Sequence, residues 1–365
     1  MAGIILSVII LSAIAATLAA LLVIAERYVS NYGECDITIN GEKAFTVQGG
    51  ASLLESLTAN KIFIPSACGG RGTCGYCKVK VLEGAGPLLP TEEPYLDDKE
   101  RESNVRLSCQ VKVRNALSIE IPKELLSVQE YDCVCESIKE LSGDIREFRF
   151  KLKEPDKIDY IPGQYIQLFT PSYDGNEEVY RAYSISSDPE DKGIIELVIR
   201  LVPGGICTTW CFEHLKEGDA AMMNGPYGEF RLTDTDAPIL FVAGGSGMAP
   251  IKCMLHHMKN TSNSRKATYF FGANREQDLF YRDEMGAFEE ALPNFKFVPV
   301  IANSEEGSDW KGETGLVTEA LERSVKDASS SEAFLCGSPG MIDATINVLT
   351  KLGLDKSKIY YDKFA

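Results

Sequence analysis

The sequence predicts a multidomain chain in four parts: an N-terminal transmembrane helix, a small α+β unit, an antiparallel β-barrel, and an α/β unit built on a parallel sheet. Three observations predict it. The 23 residues from Gly3 to Ala25, GIILSVIILSAIAATLAALLVIA, carry no charge. From about Tyr131 to Phe230, short alternating strands follow one another with turn residues between them. From Ala237 onward, strands alternate with helical stretches. The parts are expected at 1–30, 31–125, 126–234 and 235–365.

At 1.5 Å per residue the apolar run would extend about 35 Å, enough for the roughly 30 Å hydrocarbon core of a bilayer. A cleaved secretory signal has a basic n-region and a shorter apolar core. No Lys or Arg precedes this run, so a retained helix is expected. Arg27, Lys43 and Lys61 follow it, which predicts a single pass through the inner (cell) membrane with the bulk of the chain cytoplasmic. The net charge of −16 argues against a nucleic-acid partner, because phosphate binding needs clustered Lys and Arg. Structural disulfides are rare in the cytoplasm, so some of the eleven cysteines are expected to do metal or redox work.

In the second part, CDITINGEKAFTVQGG (35–50) reads as a hairpin turning at Asn40-Gly41, SLLESLTANK (52–61) as a short helix, and CKVKVLEG (77–84) as a strand. Between helix and strand lies SACGGRGTCGYC (66–77). Cys68, Cys74 and Cys77 are spaced C-x5-C-x2-C, and Cys109 follows after 31 intervening residues. Thiolates are soft ligands that suit zinc or iron–sulfur centres. Zinc sites usually set two C-x2-C pairs far apart, whereas here three thiols share one glycine-rich loop. The plant-type iron–sulfur spacing is C-x4-C-x2-C, and this loop is one residue longer. Gly69, Gly70, Gly72 and Gly75 let the backbone bend closely around a centre and aim N–H groups at its sulfurs.

The barrel strands are YDCVCESI, IREFRFKL, GQYIQLFT, YRAYSISS and GIIELVIRLV, closing near NGPYGEF (224–230). In RAYSISS, alternation puts Arg181 and Tyr183 on one face and Ser184 on the other. An Arg there suits a pyrophosphate and a Tyr a flat ring system, while an ordinary strand remains the plain alternative. In the last part, PILFVAGG, ATYFFGA, FKFVPVIA, EAFLCG and KIYYDKF read as strands. APIKCMLHHMKN and stretches near 282–291, 315–325 and 340–352 read as helices. FVAGGSGMAP (241–250) follows a buried strand and opens a helix, the right context for a dinucleotide loop. Gly245-x-Gly247 is present, but Pro250 stands where a full GxGxxG has its last glycine. CGSPGM (336–341) repeats the strand-to-helix pattern. After ATYFFGA, Arg275 could accept a 2′-phosphate, and Glu276 or Asp278 a 2′-hydroxyl. Cys133 and Cys135 are expected to face opposite ways on one strand; Cys207 and Cys211 have no further ligands nearby; Cys35 and Cys253 read as small apolar positions. His256 and His257, adjacent on a helix, are expected in packing or surface roles. No Ser–His–Asp set or Walker loop is present, so hydrolysis and phosphoryl transfer are not expected.

The cysteine loop, LPTE (89–92) and RLSCQV (106–111) resemble the F subunit of the sodium-translocating NADH:quinone oxidoreductase. The order PGQYIQL, RAYSISS, PGGICTT, NGPYGEF is similar to the flavin barrel of the ferredoxin–NADP reductase superfamily. The resemblance covers nearly the whole chain. It implies a ferredoxin-like (β-grasp) domain whose Cys68, Cys74, Cys77 and Cys109 hold a [2Fe–2S] cluster. It implies FAD bound by Arg181, Ala182, Tyr183 and Ser184, with Gly205, Ile206, Cys207 and Thr208 on the pyrophosphate through N–H groups and a hydroxyl. NADH would meet Gly244, Gly245, Gly247, Met248 and Gly337, with Ser246, Cys336 and Phe364 at the hydride path and flavin ring. Electrons would pass from NADH to FAD to [2Fe–2S] to a membrane acceptor. The implied partners are other membrane subunits, with quinone reached indirectly and sodium moved elsewhere. One departure is PSYDGNEEVY (171–180), which stands where the resembled family carries a longer insertion. Two other readings are an anchored reductase feeding an oxygenase or other redox protein, and a non-catalytic membrane docking module.

Overall fold

The computed structural model describes residues 10–19, 32–66, 68–303 and 310–364. Residues 10–19 form a helix, α1. Among the described residues no helix is long and apolar enough to cross a membrane. The rest of the expected transmembrane run, 3–9 and 20–25, lies outside the described residues. The chain divides into two compact units, Met1–Ser127 and Val128–Ala365.

The first unit is a five-stranded sheet gripping one helix. Its strands β1 (Glu34–Ile39), β2 (Lys43–Gln48), β3 (Lys78–Glu83), β4 (Val105–Leu107) and β5 (Leu117–Glu120) are ordered β2-β1-β5-β3-β4. The hairpin turns where expected, with Asn40 at φ 53° and Gly41 at φ 70°, the pair of positive angles that a two-residue turn requires. Asn40 also exchanges hydrogen bonds with Ile121, at 3.0 and 2.9 Å, tying the turn to the end of the unit. Helix α2 (Leu53–Ala59) starts in a capping box between Ser52 and Glu55 and buries Leu53 and Leu57 against Ile37, Ile39 and Ile119. A short helix α3 (Asp98–Glu102) precedes β4. Strands β4 and β5, of three and four residues, are too short to show a period in the sequence.

Beneath β4 lies a buried ion pair. Glu92 is fully buried; its carboxylate accepts from Arg106 Nη2 at 2.6 Å, Leu107 N at 2.9 Å and Leu89 N at 3.0 Å. Two further Arg106 donors reach the carbonyls of Gly86 and Pro87, both at 3.0 Å. Four of the five Arg106 N–H donors are matched, Nε also reaching Glu92 at 2.9 Å, which is what makes such a pair tolerable in a core.

The second unit begins with an antiparallel barrel. Strands β6 (Gln129–Ser142), β7 (Ile145–Glu154), β8 (Tyr165–Thr170), β9 (Val179–Ser184), β10 (Ile194–Arg200) and β11 (Ala220–Tyr227) are ordered β10-β7-β6-β11-β8-β9. A bridge between Ile185 and Leu197 joins the two edges, so the sheet closes. Phe148, Phe150, Ile166, Leu168 and Leu197 fill it. Cys133 and Cys135 both point into this core, at 2% and 0% exposure. The expectation of opposite faces is thus corrected: residues two apart on a strand share a face. Helix α4 (Ile206–Thr209) lies on the connection from β10 to β11.

A parallel six-stranded sheet follows, ordered β15-β14-β13-β12-β16-β17. Its strands are β12 (Ile239–Gly244), β13 (Ala267–Ala273), β14 (Phe295–Ile301), β15 (Glu313–Thr314), β16 (Glu332–Gly337) and β17 (Ile359–Lys363). Helices α5 (Met248–Asn260), α6 (Arg282–Ala291), α7 (Val317–Ser324) and α8 (Pro339–Lys351) cover it, with a separate apolar core on each face. The chain leaves β12 toward β13 and returns on its other side at β16, so the strand order switches between β12 and β16. Ligands of open α/β sheets bind at the carboxyl ends of strands at such a switch.

Removing the Glu92 carboxylate leaves Arg106 buried without its counter-charge, a loss of about 3–5 kcal/mol. In Glu92→Ala the calorimetric transition of the first unit should therefore move down, while that of the second unit stays where it is. A wild-type melting profile would exclude the pair as a keystone of the first unit.

Candidate functional site

The four spaced cysteines are brought together. Cys74 Sγ lies 3.4 Å from Cys68 Sγ, and Cys77 Sγ lies 3.3 Å from Cys109 Sγ. Among the described residues no three His, Cys, Asp or Glu side chains converge on one point that would hold a single ion. Two pairs of thiols fit a binuclear centre, with two sulfurs for each iron, and not one tetrahedral zinc. Within each pair one sulfur accepts a hydrogen bond from the other's thiol: donation from Cys74 lowers Cys68 to about 4, and donation from Cys77 lowers Cys109 to about 7. Cys74 and Cys77 are correspondingly raised. Backbone N–H groups of Arg71 and Thr73 face Cys68, Tyr76 faces Cys74, and Gly72 faces Cys109. Such donors are what an anionic cluster needs around its sulfurs.

Gly75 shows why the loop is glycine-rich: at φ 71° a Cβ there would stand 2.9 Å from the Tyr95 ring. The two flanking motifs prove to be one hydrogen-bonded set. Thr91 of LPTE donates to Gln110 Oε1 at 2.9 Å, and Gln110 Nε2 donates to Cys109 Sγ at 3.6 Å. Glu92 of the same motif holds Arg106 and Leu107. LPTE thereby fixes the strand that delivers the fourth cysteine.

In the second unit, Arg181, Ala182, Tyr183 and Ser184 lie on β9, paired with β8. The Arg181 guanidinium donates to the Tyr180 carbonyl at 2.8 Å and stays half-buried. Tyr183 packs on the barrel core, where burial raises its phenol. Gly205 caps α4, and the N–H groups of Ile206, Cys207 and Thr208 form its first turn, which has no intrahelical acceptor. Two side chains here are engaged inwardly. Cys207 is buried in the barrel core, and Thr208 Oγ1 accepts from Val202 N at 3.1 Å. The backbone of this turn, rather than the Thr208 hydroxyl, is what remains for a phosphate.

Gly244, Gly245, Ser246 and Gly247 end β12 and turn into α5, while Cys336 and Gly337 end the adjacent β16. The two loops touch: a Cβ on Gly247 would stand 2.3 Å from the Cys336 carbonyl oxygen. Phe364 N donates to Gly337 O at 2.9 Å, so the residue after β17 is tied to the same spot. The Met248 side chain is fully buried with its sulfur accepting from Tyr269 OH, which leaves only its backbone facing the crevice end. Arg275 is engaged by Asp278 at 3.5 Å, and Glu276 by Arg282 at 3.2 Å.

The sequence reading missed Asp362. It sits opposite Cys336 on β17, and Ser184 Oγ donates to its carboxylate at 3.3 Å, across 178 residues. Burial raises the Asp362 carboxyl above its ordinary value, and the Ser184 hydrogen bond offsets part of that. Burial, with Asp362 adding to it, also raises the Cys336 thiol. The crevice thus holds a buried carboxyl with a raised pKa, a hydroxyl and a buried thiol beside two glycine turns. The one local sign was an acid directly after the apolar run IYY (359–361).

Three domain families match the chain: a 2Fe-2S iron-sulfur cluster binding domain over residues 37–114, an oxidoreductase FAD-binding domain over 132–232, and an oxidoreductase NAD-binding domain over 241–347. The chain is 33% identical over 393 residues to the F subunit of the Na(+)-translocating NADH-quinone reductase of Pseudomonas aeruginosa, covering 97% of this chain and 96% of that one. It is 34% identical to the same protein of Marinomonas sp., covering 99% and 98%, and 32% identical to that of Neisseria meningitidis, covering 99% of each. Among solved structures, the Amycolatopsis cytochrome P450 reductase GcoB aligns with a TM-score of 0.73 at 25% identity, over 90% of this chain and 98% of that one. The ferredoxin reductase of carbazole 1,9a-dioxygenase aligns with a TM-score of 0.70 at 23% identity, over 91% and 99%, a likeness of fold.

A raised carboxyl pKa makes the folded protein hold its proton to higher pH than the unfolded chain does. Its contribution to stability is full below about pH 4, the unfolded value, and is lost as pH rises through the folded value. Asp362→Asn carries no such loss. In the flavin-free protein, the melting temperature of the variant relative to wild type should therefore climb from pH 4 to pH 7. A difference independent of pH would show that Asp362 is not a buried acid.

Proposed function

The chain belongs to the family of the F subunit of the Na(+)-translocating NADH-quinone reductase, and on that premise we propose that it is the membrane-anchored electron-input component of a multi-subunit redox complex. It is an NADH-dependent oxidoreductase with FAD and a [2Fe–2S] cluster. When bound, the flavin takes two electrons from NADH and gives them up singly, the only currency the cluster accepts. The observation that carries the reading is the pairing of four thiols two by two, in one chain with a flavin barrel and a dinucleotide crevice.

The chain's own residues would then act as follows. Cys68 and Cys74 hold one iron, and Cys77 and Cys109 the other. Arg181 and the α4 turn bind the FAD phosphates, and Tyr183 and Ala182 line the flavin. The Gly244–Gly247 turn, with Met248 and Gly337, admits NADH without a side chain in its way. Ser184, anchored by its hydrogen bond to Asp362, would hold the flavin beside them. Ser246 and Cys336 border the hydride path, and the Phe364 ring covers the flavin ring. The charge-free run 3–25 anchors the chain by a single pass in the inner membrane, with both folded units cytoplasmic. Its partners are the membrane subunits of the complex, and quinone is reached through them. A second reading, an anchored reductase serving an oxygenase or other redox protein, is favoured by the short 171–180 segment.

Cys74→Ala should abolish the cluster's EPR signal while FAD stays bound. NADH should still reduce a flavin-directed dye at close to the wild-type rate, and delivery to the native acceptor should stop. A variant that kept the full signal would sink the ligand set, and wild-type protein unable to reduce ferricyanide with NADH would leave only a docking role.

Deleting residues 1–25 separates the two readings. The truncated protein should be soluble and keep NADH oxidation with artificial dyes. Electron transfer to a membrane quinone pool should fall by about 10²-fold or more, because the anchor's contribution to effective concentration is of that order. Undiminished quinone reduction would overturn the anchored reading, and full-rate transfer to a soluble protein acceptor would favour the second.

A further inference from the structure

Ser108 is fully buried, one residue before Cys109. Its backbone is fixed on both sides: Ser108 N donates to Cys77 O at 2.8 Å, and Leu54 N donates to Ser108 O at 3.1 Å. Leu107 before it is held by Glu92 at 2.9 Å. The side chain therefore has only its own torsion to vary. Among the described residues its Oγ is one of three buried side-chain atoms without a hydrogen-bond partner, with Thr170 Oγ1 and His256 Nδ1. A buried hydroxyl left unmatched forfeits its hydration with nothing in return, so such groups are rarely left so. Leu107 pairs with Lys78 across β3 and β4, and Ser108 N reaches the Cys77 carbonyl, so Ser108 stands beside Cys77 at the end of the ladder. A buried hydroxyl without a protein partner beside a cysteine of the cage points to an acceptor that belongs to the bound centre.

We propose that the Ser108 hydroxyl donates to a sulfur on the Cys77 side of the [2Fe–2S] cluster and thereby sets its reduction potential. The proposal rests on the reading that the four thiols hold the cluster. Reduction adds negative charge to the sulfurs, so a hydrogen bond to one of them favours the reduced form and raises the potential. Backbone donors face all four cysteines, the Cys109 N–H facing Cys77, and the Ser108 hydroxyl adds a side-chain donor beside Cys77. Ser108 is a positioning and tuning residue, not a ligand.

The test is an EPR-monitored redox titration of the full-length, cluster-loaded protein. In Ser108→Ala the cluster's reduction equilibrium should shift about tenfold toward the oxidised form, which is about 59 mV for one electron. Iron content and FAD content should not change, and Ser108→Thr, which keeps the hydroxyl, should stay near the wild-type potential. A fully loaded Ser108→Ala at the wild-type potential overturns the proposal, as does a Ser108→Thr as low as the alanine variant. Should Ser108→Ala fail to load, Ser108→Gly removes the same hydroxyl and takes its place. If neither loads, the hydroxyl is needed for assembly rather than tuning, and the proposal falls. These outcomes are separate from failure of the ligand set, which would leave Cys74→Ala with its cluster.

Discussion

The close approach of Gly247 to the Cys336 carbonyl, where a Cβ would stand at 2.3 Å, constrains the whole dinucleotide half. Two strands of a parallel sheet end side by side, and each must turn at once into a helix on the sheet face. Only a residue without a side chain lets the turn after β12 lie against the end of β16. The same contact brings Gly337 against Gly244, and Gly337 in turn holds Phe364 by its carbonyl. The end of β17 is thereby fixed, and Asp362 with it. The buried Asp362 carboxyl is therefore placed beside Ser184 by the backbone packing of neighbouring strands, not by any motif of its own.

The helix that begins at this turn is seated by charge. The Lys252 side chain on α5 is 4% exposed and faces Glu196 Oε2 at 3.0 Å, Glu147 Oε2 at 3.3 Å and Glu284 Oε1 at 3.5 Å. Glu147 and Glu196 belong to the barrel strands β7 and β10, so one ammonium joins the barrel to the nucleotide sheet. An apolar contact would let α5 slide with little penalty. Displacing a buried ammonium from its carboxylates would leave an uncompensated charge, at about 3–5 kcal/mol. Since α5 starts at Met248, the position of the glycine turn relative to the barrel follows from where Lys252 sits. Glu92 and Arg106 do the analogous work in the first unit, where the strand they secure carries the fourth cysteine.

Much of this was legible in the sequence, and what was not shares one property. Strands β12, β13, β14, β16 and β17 and helices α5, α6 and α8 fall where periodicity and turn residues put them, because buried parallel strands read as unbroken apolar runs. The cysteine spacing was legible because three ligands are local. Asp362, Lys252 and the Glu92–Arg106 pair were not, although each is a charged residue in a core. Their partners lie 14 to 178 residues away, and no local period records a contact of that range. Strands β4 and β5 escaped for the opposite reason, being shorter than one full alternation. The error at Cys133 and Cys135 was one of counting faces, not of structure.

The short segment 171–180, a departure in the sequence, has a definite role in the fold. Asp174 and Gly175, at φ 47° and 81°, make a tight turn closed by Asn176 N donating to Tyr173 O at 2.7 Å. Thr170 then pairs with Val179, so β8 runs directly into β9 and Arg181 enters its strand in register. Tyr173 reaches outward from the turn: its hydroxyl donates to the Ile206 carbonyl at 2.6 Å, and its ring lies 4.6 Å from that of His214. Ile206 opens the α4 turn whose N–H groups are offered to phosphate. A compact hairpin thus ties together Arg181 on β9 and the amide turn of α4, the two groups proposed for the flavin's phosphates. A longer excursion would add a surface but would have to reproduce this tie by other means. The pairing of β8 with β9 and the tie to Ile206 are therefore complete with the short segment alone.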